Sequence, residues 1–183
     1  MNQKKIAKLT LQLINELGED GNREGLRKTP QRVANAYIKI FGGYKQDPKK
    51  IITVFDSDNY DEMVICKDIE FYSTCEHHLQ PFFGKISIGY IPDKKIIGLS
   101  KLPRLVEIYA RRMQNQERLT MQIADVIAKL LKPKGVGVVV EAKHLCLMAR
   151  GVEKQGATMT TSYCKGLFRT NESTRNEFLK LIR

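Results

Sequence analysis

The chain has no tryptophan, only three histidines and four cysteines among 183 residues, and no apolar run that approaches the length of a membrane-spanning helix. The missing tryptophan, together with basic residues scattered singly rather than gathered in a tail, argues against a nucleic-acid surface, which needs a charged groove interleaved with stacking platforms. Without a long apolar run no membrane partner is expected. The N-terminus carries no secretory pattern, so the four cysteines fit a reducing, cytoplasmic setting rather than a disulfide framework. No internal repeat or low-complexity segment interrupts the chain, whose length suits a single domain, 1–183, with a core large enough to fold without disulfides. Charge is the one strong bias: 31 basic against 20 acidic residues give a net +11, which favours a polyanionic partner such as a phosphorylated small molecule.

The scarce residues are not scattered. Cys75-Glu76-His77-His78 and His144-Leu145-Cys146 together hold all three histidines and two of the cysteines. Zinc explains the grouping, because it takes thiolate and imidazole in tetrahedral geometry and a turn offering ligands three residues apart, as Cys75 and His78 are, chelates one ion. His144 and Cys146 lie two apart in a β-branched run, so on a strand both project from one face. Cys75, His78 and Cys146 make three ligands and leave a fourth position open, the mark of a catalytic metal. The main competitor is a closed structural zinc with His144 or Cys164 as fourth ligand. Two thiolates cancel most of the ion's charge, so bound water is acidified less than in an all-histidine site and a general acid or base is needed beside it. His77 and His144 are free for that role. Cys66 and Cys164 read as packing residues, and Glu76 as structural.

Periodicity supplies the elements. Apolar residues at helical spacing predict helices over 4–17, 101–113 (Leu102, Leu105, Val106, Tyr109 and Met113 inward) and 116–130. Thr29 as N-cap before Pro30 predicts another helix to Phe41, and Ser100 caps the third. Strands are expected over 63–72 (Ile65, Ile69 and Phe71 on one face), 85–91, 136–148 and 156–163, with connector over 44–62 and a closing helix over 173–182. This order implies an α+β fold, a four-stranded antiparallel sheet with helices on one face, preceded by an N-terminal helical extension and connector over 1–62 ahead of a core over 63–183. Such a sheet has two open edges that must be covered or paired.

With these motifs in place, the sequence closely resembles the GTP cyclohydrolase I family. The likeness rests on Ser73-Thr74-Cys75-Glu76-His77-His78, Ile97-Gly98-Leu99-Ser100-Lys101, Gln116-Glu117-Arg118-Leu119-Thr120, and His144-Leu145-Cys146 through Ala149-Arg150-Gly151. Weaker matches at Arg23-Glu24-Gly25-Leu26 and Thr174-Arg175-Asn176-Glu177-Phe178 extend it over nearly the whole chain. The resemblance implies the tunnelling fold, with sheets joined edge to edge into a barrel across subunits, a homodecamer of two pentamers, and sites shared between subunits. It implies one zinc per subunit on Cys75, His78 and Cys146, with His77, His144 and Ser100 moving protons. It implies hydrolytic opening of the guanine imidazole ring of GTP, loss of formate, and closure to dihydroneopterin triphosphate, the entry to folate or tetrahydrobiopterin synthesis. Glu117, with Gln116, would select guanine, and Lys101, Arg104, Arg150 and Arg32 would grip the triphosphate. The chain departs from the family three residues after Arg32, where a lysine is common and Asn35 stands here, which implies either a looser hold on the phosphates or compensation by another lysine. No motif decides whether a regulatory protein binds. Three rivals are weaker. A nucleobase deaminase needs His-x-Glu and Pro-Cys-x-x-Cys, both absent. A zinc nucleic-acid module would not leave two histidines free. A sister reaction on a related purine-like ring would not require every one of these residues.

Overall fold

Ile6, Leu9 and Leu13 recur at helical spacing, and helix α1 (Gln3–Glu16) forms where they do, capped by the Asn2 side chain accepting from the Lys5 N–H at 3.0 Å. The computed structural model describes residues 1–183 in two units, Met1–Gly42 and Gly43–Arg183. In the first unit α1 is joined by α2 (Thr29–Ile40), with Pro30 in its first turn, and Gln3 Nε2 donates to the Asn35 side-chain oxygen Oδ1 at 3.0 Å. Thr29 is not the N-cap. Lys28 holds that position without a side-chain bond, and the Thr29 hydroxyl instead donates back to Gly25 O.

The second unit carries the sheet. Strands β1 (Val54–Asp56) and β4 (Lys95–Ile97) pair antiparallel as a small separate ribbon, the first within the expected connector and the second in a stretch assigned to no element. The main sheet contains β2 (Val64–Cys75), β3 (Pro81–Ile91), β6 (Gly135–His144) and β7 (Met159–Gly166), all antiparallel. The two-residue β5 (Met113–Gln114) adds in parallel beside Cys75, so the order is β5-β2-β3-β6-β7. The four long strands are the expected sheet, and the fifth is an addition.

Helices α3 (Lys101–Ala110) and α4 (Gln116–Leu131) cover one face. Leu105, Val106 and Ile108 of α3 and Leu119, Ile123 and Ile127 of α4 are fully buried against Phe82, Ile86, Ile88, Val136, Val138 and Val140. Each such side chain contributes at most about 1.5–3 kcal/mol. Two inward assignments on α3 are corrected: Tyr109 is half-buried, and Met113 has left the helix for β5 and is exposed, while Ile108 fills the core. The helices also do not keep to one face. Phe168 of the short turn α6 (Leu167–Thr170) and Phe178 of α7 (Glu172–Leu181) pack with Val139 on the opposite side. Gly89 and Gly137 make room for them, since a Cβ at either would come within 2.7 Å of a phenylalanine ring.

A bulge decides which β2 residues share a face. Cys66 pairs with Ile88 and Ile69 with Ile86, so three steps on β2 oppose two on β3, with Asp68 at φ 59°. Ile65 consequently packs with the Phe168 cluster while Ile69 and Phe71 join the main core, and the expected three-residue stripe is split. No helix is long and apolar enough to cross a membrane.

Candidate metal centre and acid–base site

The β2–β3 connection is tight: the Cys75 N–H donates to Gln80 O at 2.8 Å, Leu79 N–H returns to Cys75 O at 2.9 Å, and Leu79 takes φ 55°. This turn presents His77 and His78 beside the buried Cys75, whose Sγ lies 3.7 Å from His78 Nδ1 and 3.9 Å from His77 Nδ1. The partner half-site is built differently from the sequence expectation. β6 ends at His144, and Leu145–Met148 forms a single helical turn, α5, so His144 and Cys146 do not share a strand face. The turn nevertheless carries Cys146 to Cys75. The ligand atoms of Cys75, His78 and Cys146 all lie within 4.8 Å of one another and could hold a metal ion.

The donor set fits zinc, for which bonds of about 2.0–2.3 Å in tetrahedral geometry put donor atoms roughly 3.3–3.8 Å apart. Cys164 cannot be a fourth ligand, because it packs with Phe168 and Phe178 on the opposite face of the sheet. His144 is engaged elsewhere: its ring stacks on Phe82, its cross-strand partner, at 4.6 Å with planes 2° apart, and its Nε2 lies 2.8 Å from Gln116 Oε1. Burial holds the His144 imidazole below its usual pKa, opposed by the nearby Glu117 carboxylate. Burial also pushes the Cys146 thiol up, helped by the Cys75 sulfur, while Arg150 works the other way.

Glu76 has a definite structural partner. Its carboxylate forms a bidentate pair with the Arg118 guanidinium and accepts from Asn115 Nδ2 at 3.1 Å. The Arg118 bond holds the carboxyl below its usual range. His77 Nε2 lies 3.7 Å from the same carboxylate. Asn115 is also the N-cap of α4, accepting from Arg118 N–H at 2.8 Å, so one side chain ties the helix start to the metal loop. Asn115 and Phe82 were not singled out from sequence, and Arg118 entered only as part of the Gln116–Thr120 motif. Asn115 before an apolar-periodic run is a legible cap, whereas nothing local marks the other two.

The expected substrate residues fall into separate groups. Glu117 is exposed at the start of α4 beside a cavity of about 470 Å³ shared with Thr161 and Tyr163. Gln116 and Arg150 also lie at this end of the sheet. Ser100 and Lys101 start instead from the other end of β2, where Gly98, Leu99 and Leu102 line a groove with Val64, Cys66 and Tyr90, and Arg104 lies one turn along α3 as that helix runs back toward Ser73. Cys66 and Cys75 are separated by roughly 30 Å at strand rise. Arg32 is exposed on α2 in the first unit.

A family model for GTP cyclohydrolase I matches residues 6–183. A protein of Wolinella succinogenes named GTP cyclohydrolase 1 is 53% identical over 186 aligned positions, spanning the whole of both chains. One of the same name from Methylococcus capsulatus is 60% identical over 173 residues, 93% of each chain. Among solved structures, the apo form of an archaeosine synthase QueF-Like is 19% identical with a TM-score of 0.46, covering 57% of this chain and 93% of that one. By the span and identity of these sequence matches, the chain is a member of the GTP cyclohydrolase I family, an α+β enzyme family of the tunnelling fold.

Proposed function

We propose that the protein opens the guanine imidazole ring of GTP by hydrolysis, releases carbon 8 as formate, and closes the rearranged product to dihydroneopterin triphosphate. The observation that carries this reading is the meeting of Cys75, His78 and Cys146 in a three-donor group, in a chain of this family. These residues would hold zinc, and when bound the ion would activate water for attack on carbon 8. His77, exposed beside the group and next to the Glu76 carboxylate, is placed to give a proton to the ring nitrogen as the bond to carbon 8 breaks. The Glu117 carboxylate would accept the ring N–H and amino group of guanine, a pair that adenine cannot supply. Ser100 would assist proton movement during the rearrangement.

Lys101, Arg104, Arg150 and Arg32 would bind the triphosphate, for which arginine offers bidentate geometry. The distance between the Ser100–Arg104 stretch and Cys75 within one chain supports a site completed by a second copy. The free edge of β7 supports sheet-to-sheet joining of subunits into a barrel, and a decamer of two pentamers. Cytoplasmic location suits an enzyme that keeps two thiolates reduced.

The test is incubation of metal-replete protein with GTP, following formate and the fluorescence of the oxidised pterin, with ATP and a His77→Ala variant as controls. Formate and pterin from GTP alone, lost in the variant, are expected. No turnover from protein shown to carry zinc would overturn the reading.

A further inference from the structure

Gln116 is only 2% exposed, and every polar atom of its side chain is answered inside the chain. Its amide nitrogen, with two hydrogens, faces three acceptors, Val140 O and Met159 O at 3.0 Å and Thr161 Oγ1 at 3.1 Å, so one hydrogen is shared. Two of these three partners are backbone carbonyls, which only accept. Turning the amide over would set its oxygen against both, so its orientation is fixed.

The hydroxyls agree. Thr120 Oγ1 spends its one hydrogen on Gln116 O at 2.7 Å, so in the Thr120–Thr161 contact, also 2.7 Å, Thr161 must be the donor. Thr161 then keeps a lone pair to accept from Gln116. The polarity of the whole network runs one way and ends at Gln116 Oε1, which faces His144 Nε2 at 2.8 Å. An amide oxygen cannot donate, so the hydrogen in that contact belongs to His144. Stacking on Phe82 fixes the ring plane independently.

We propose that Gln116 is a positioning residue that locks neutral His144 as its Nε2–H tautomer and leaves Nδ1 as the ring nitrogen available to water or substrate. No group of the chain binds that Nδ1. In that tautomer the Nδ1 lone pair is the one that faces away from the Gln116 network. Gln116 thus acts on the reaction through His144 rather than by holding the base, and its helix neighbour Glu117 is left to meet guanine.

The consequence for turnover rests on the GTP reading above, whereas the lock itself does not. With three histidines in the chain, solid-state NMR of zinc-loaded protein carrying isotope-labelled histidine can assign each ring, the His144 signal being the one missing from a His144→Gln variant. At a pH where the ring is neutral, wild-type protein is expected to show a protonated Nε2 and a bare Nδ1 on His144. A protonated Nδ1, or a mixture of tautomers, would overturn the proposal whatever the protein does with GTP. In a Gln116→Met variant that binds zinc normally, the lock is expected to be lost, giving mixed tautomers, and kcat for formate release to fall about 10–100-fold, as for other groups that orient a site histidine, with little change in KM. Unchanged tautomer and kcat in that variant would also overturn it. If the variant does not fold, the wild-type spectrum still decides.

Discussion

Around Cys75, at one end of β2, several polar side chains are tied to partners within the chain: Glu76 to Arg118 and Asn115, His144 through Nε2 to Gln116, and Gln116 to two carbonyls and a threonine. At the other end, Phe55, Tyr60 and Leu99 stand exposed around an apolar groove of about 430 Å³, and Lys101 and Arg104 beside it form no ion pair. The first end is organised by its own hydrogen bonds before any ligand arrives, which is what a site that orients proton-transfer groups requires. The second end has charge and apolar area but nothing to use them on. The difference is what a site divided between copies of one chain would leave behind in each.

The largest effect that can break this comparison comes from mixing subunits. Cys146→Ala protein is expected to lose metal and turnover, and a Lys101→Ala/Arg104→Ala double variant to lose about 10²–10⁴-fold in kcat/KM while keeping zinc, each charged contact contributing about 1.5–3 kcal/mol. If the two ends serve one site across an interface, co-assembled variants will exceed both parents in formate release. A mixture that gives only their average would mean that the ends work separately.

Oxidation separates the ends next. After chelation in air, Cys75 and Cys146, brought together by the metal group, are expected to form a disulfide detectable by mass. Cys66 and Cys164, whose thiols are pushed up by burial, are expected to stay reduced and to alkylate slowly at neutral pH. Finding all four thiols free would show that the two half-sites do not approach.

The smallest effect lies at the far end. Tyr90, 1% exposed, accepts the Ile97 N–H on its hydroxyl at 3.1 Å, and Tyr90→Phe would strand that buried donor. A loss of about 1–2 kcal/mol in urea unfolding is expected, with zinc content unchanged. A neutral result would place the groove end outside the cooperative core.

Much of this was legible before the fold. The α4 stripe, from Leu119 through Ile127, reads as a helix because its apolar period is regular, and the structure adds the Asn115 cap. What failed was local. Nothing in Lys67-Asp68 announces a bulge, yet one extra residue there puts Ile65 on the opposite face from Ile69. Leu145–Met148 is apolar and continues a β-branched run, so its single helical turn is invisible to periodicity. β1 and β4, three residues each, are too short to carry an alternation signal.

The sequence by itself determined the chemical inventory: which residues can hold zinc, which histidines are left beside them, and the element order that makes an α+β sheet. Those follow from residue type and spacing, which are properties of the chain. Only the tertiary structure decided that Cys146 reaches Cys75 from a helical turn, that Gln116 spends its amide on two carbonyls and faces His144, and that Lys101 lies far from the metal group. Each of those depends on strand register and on the direction of a hydrogen bond between residues distant in the chain, and neither is encoded in any window of sequence.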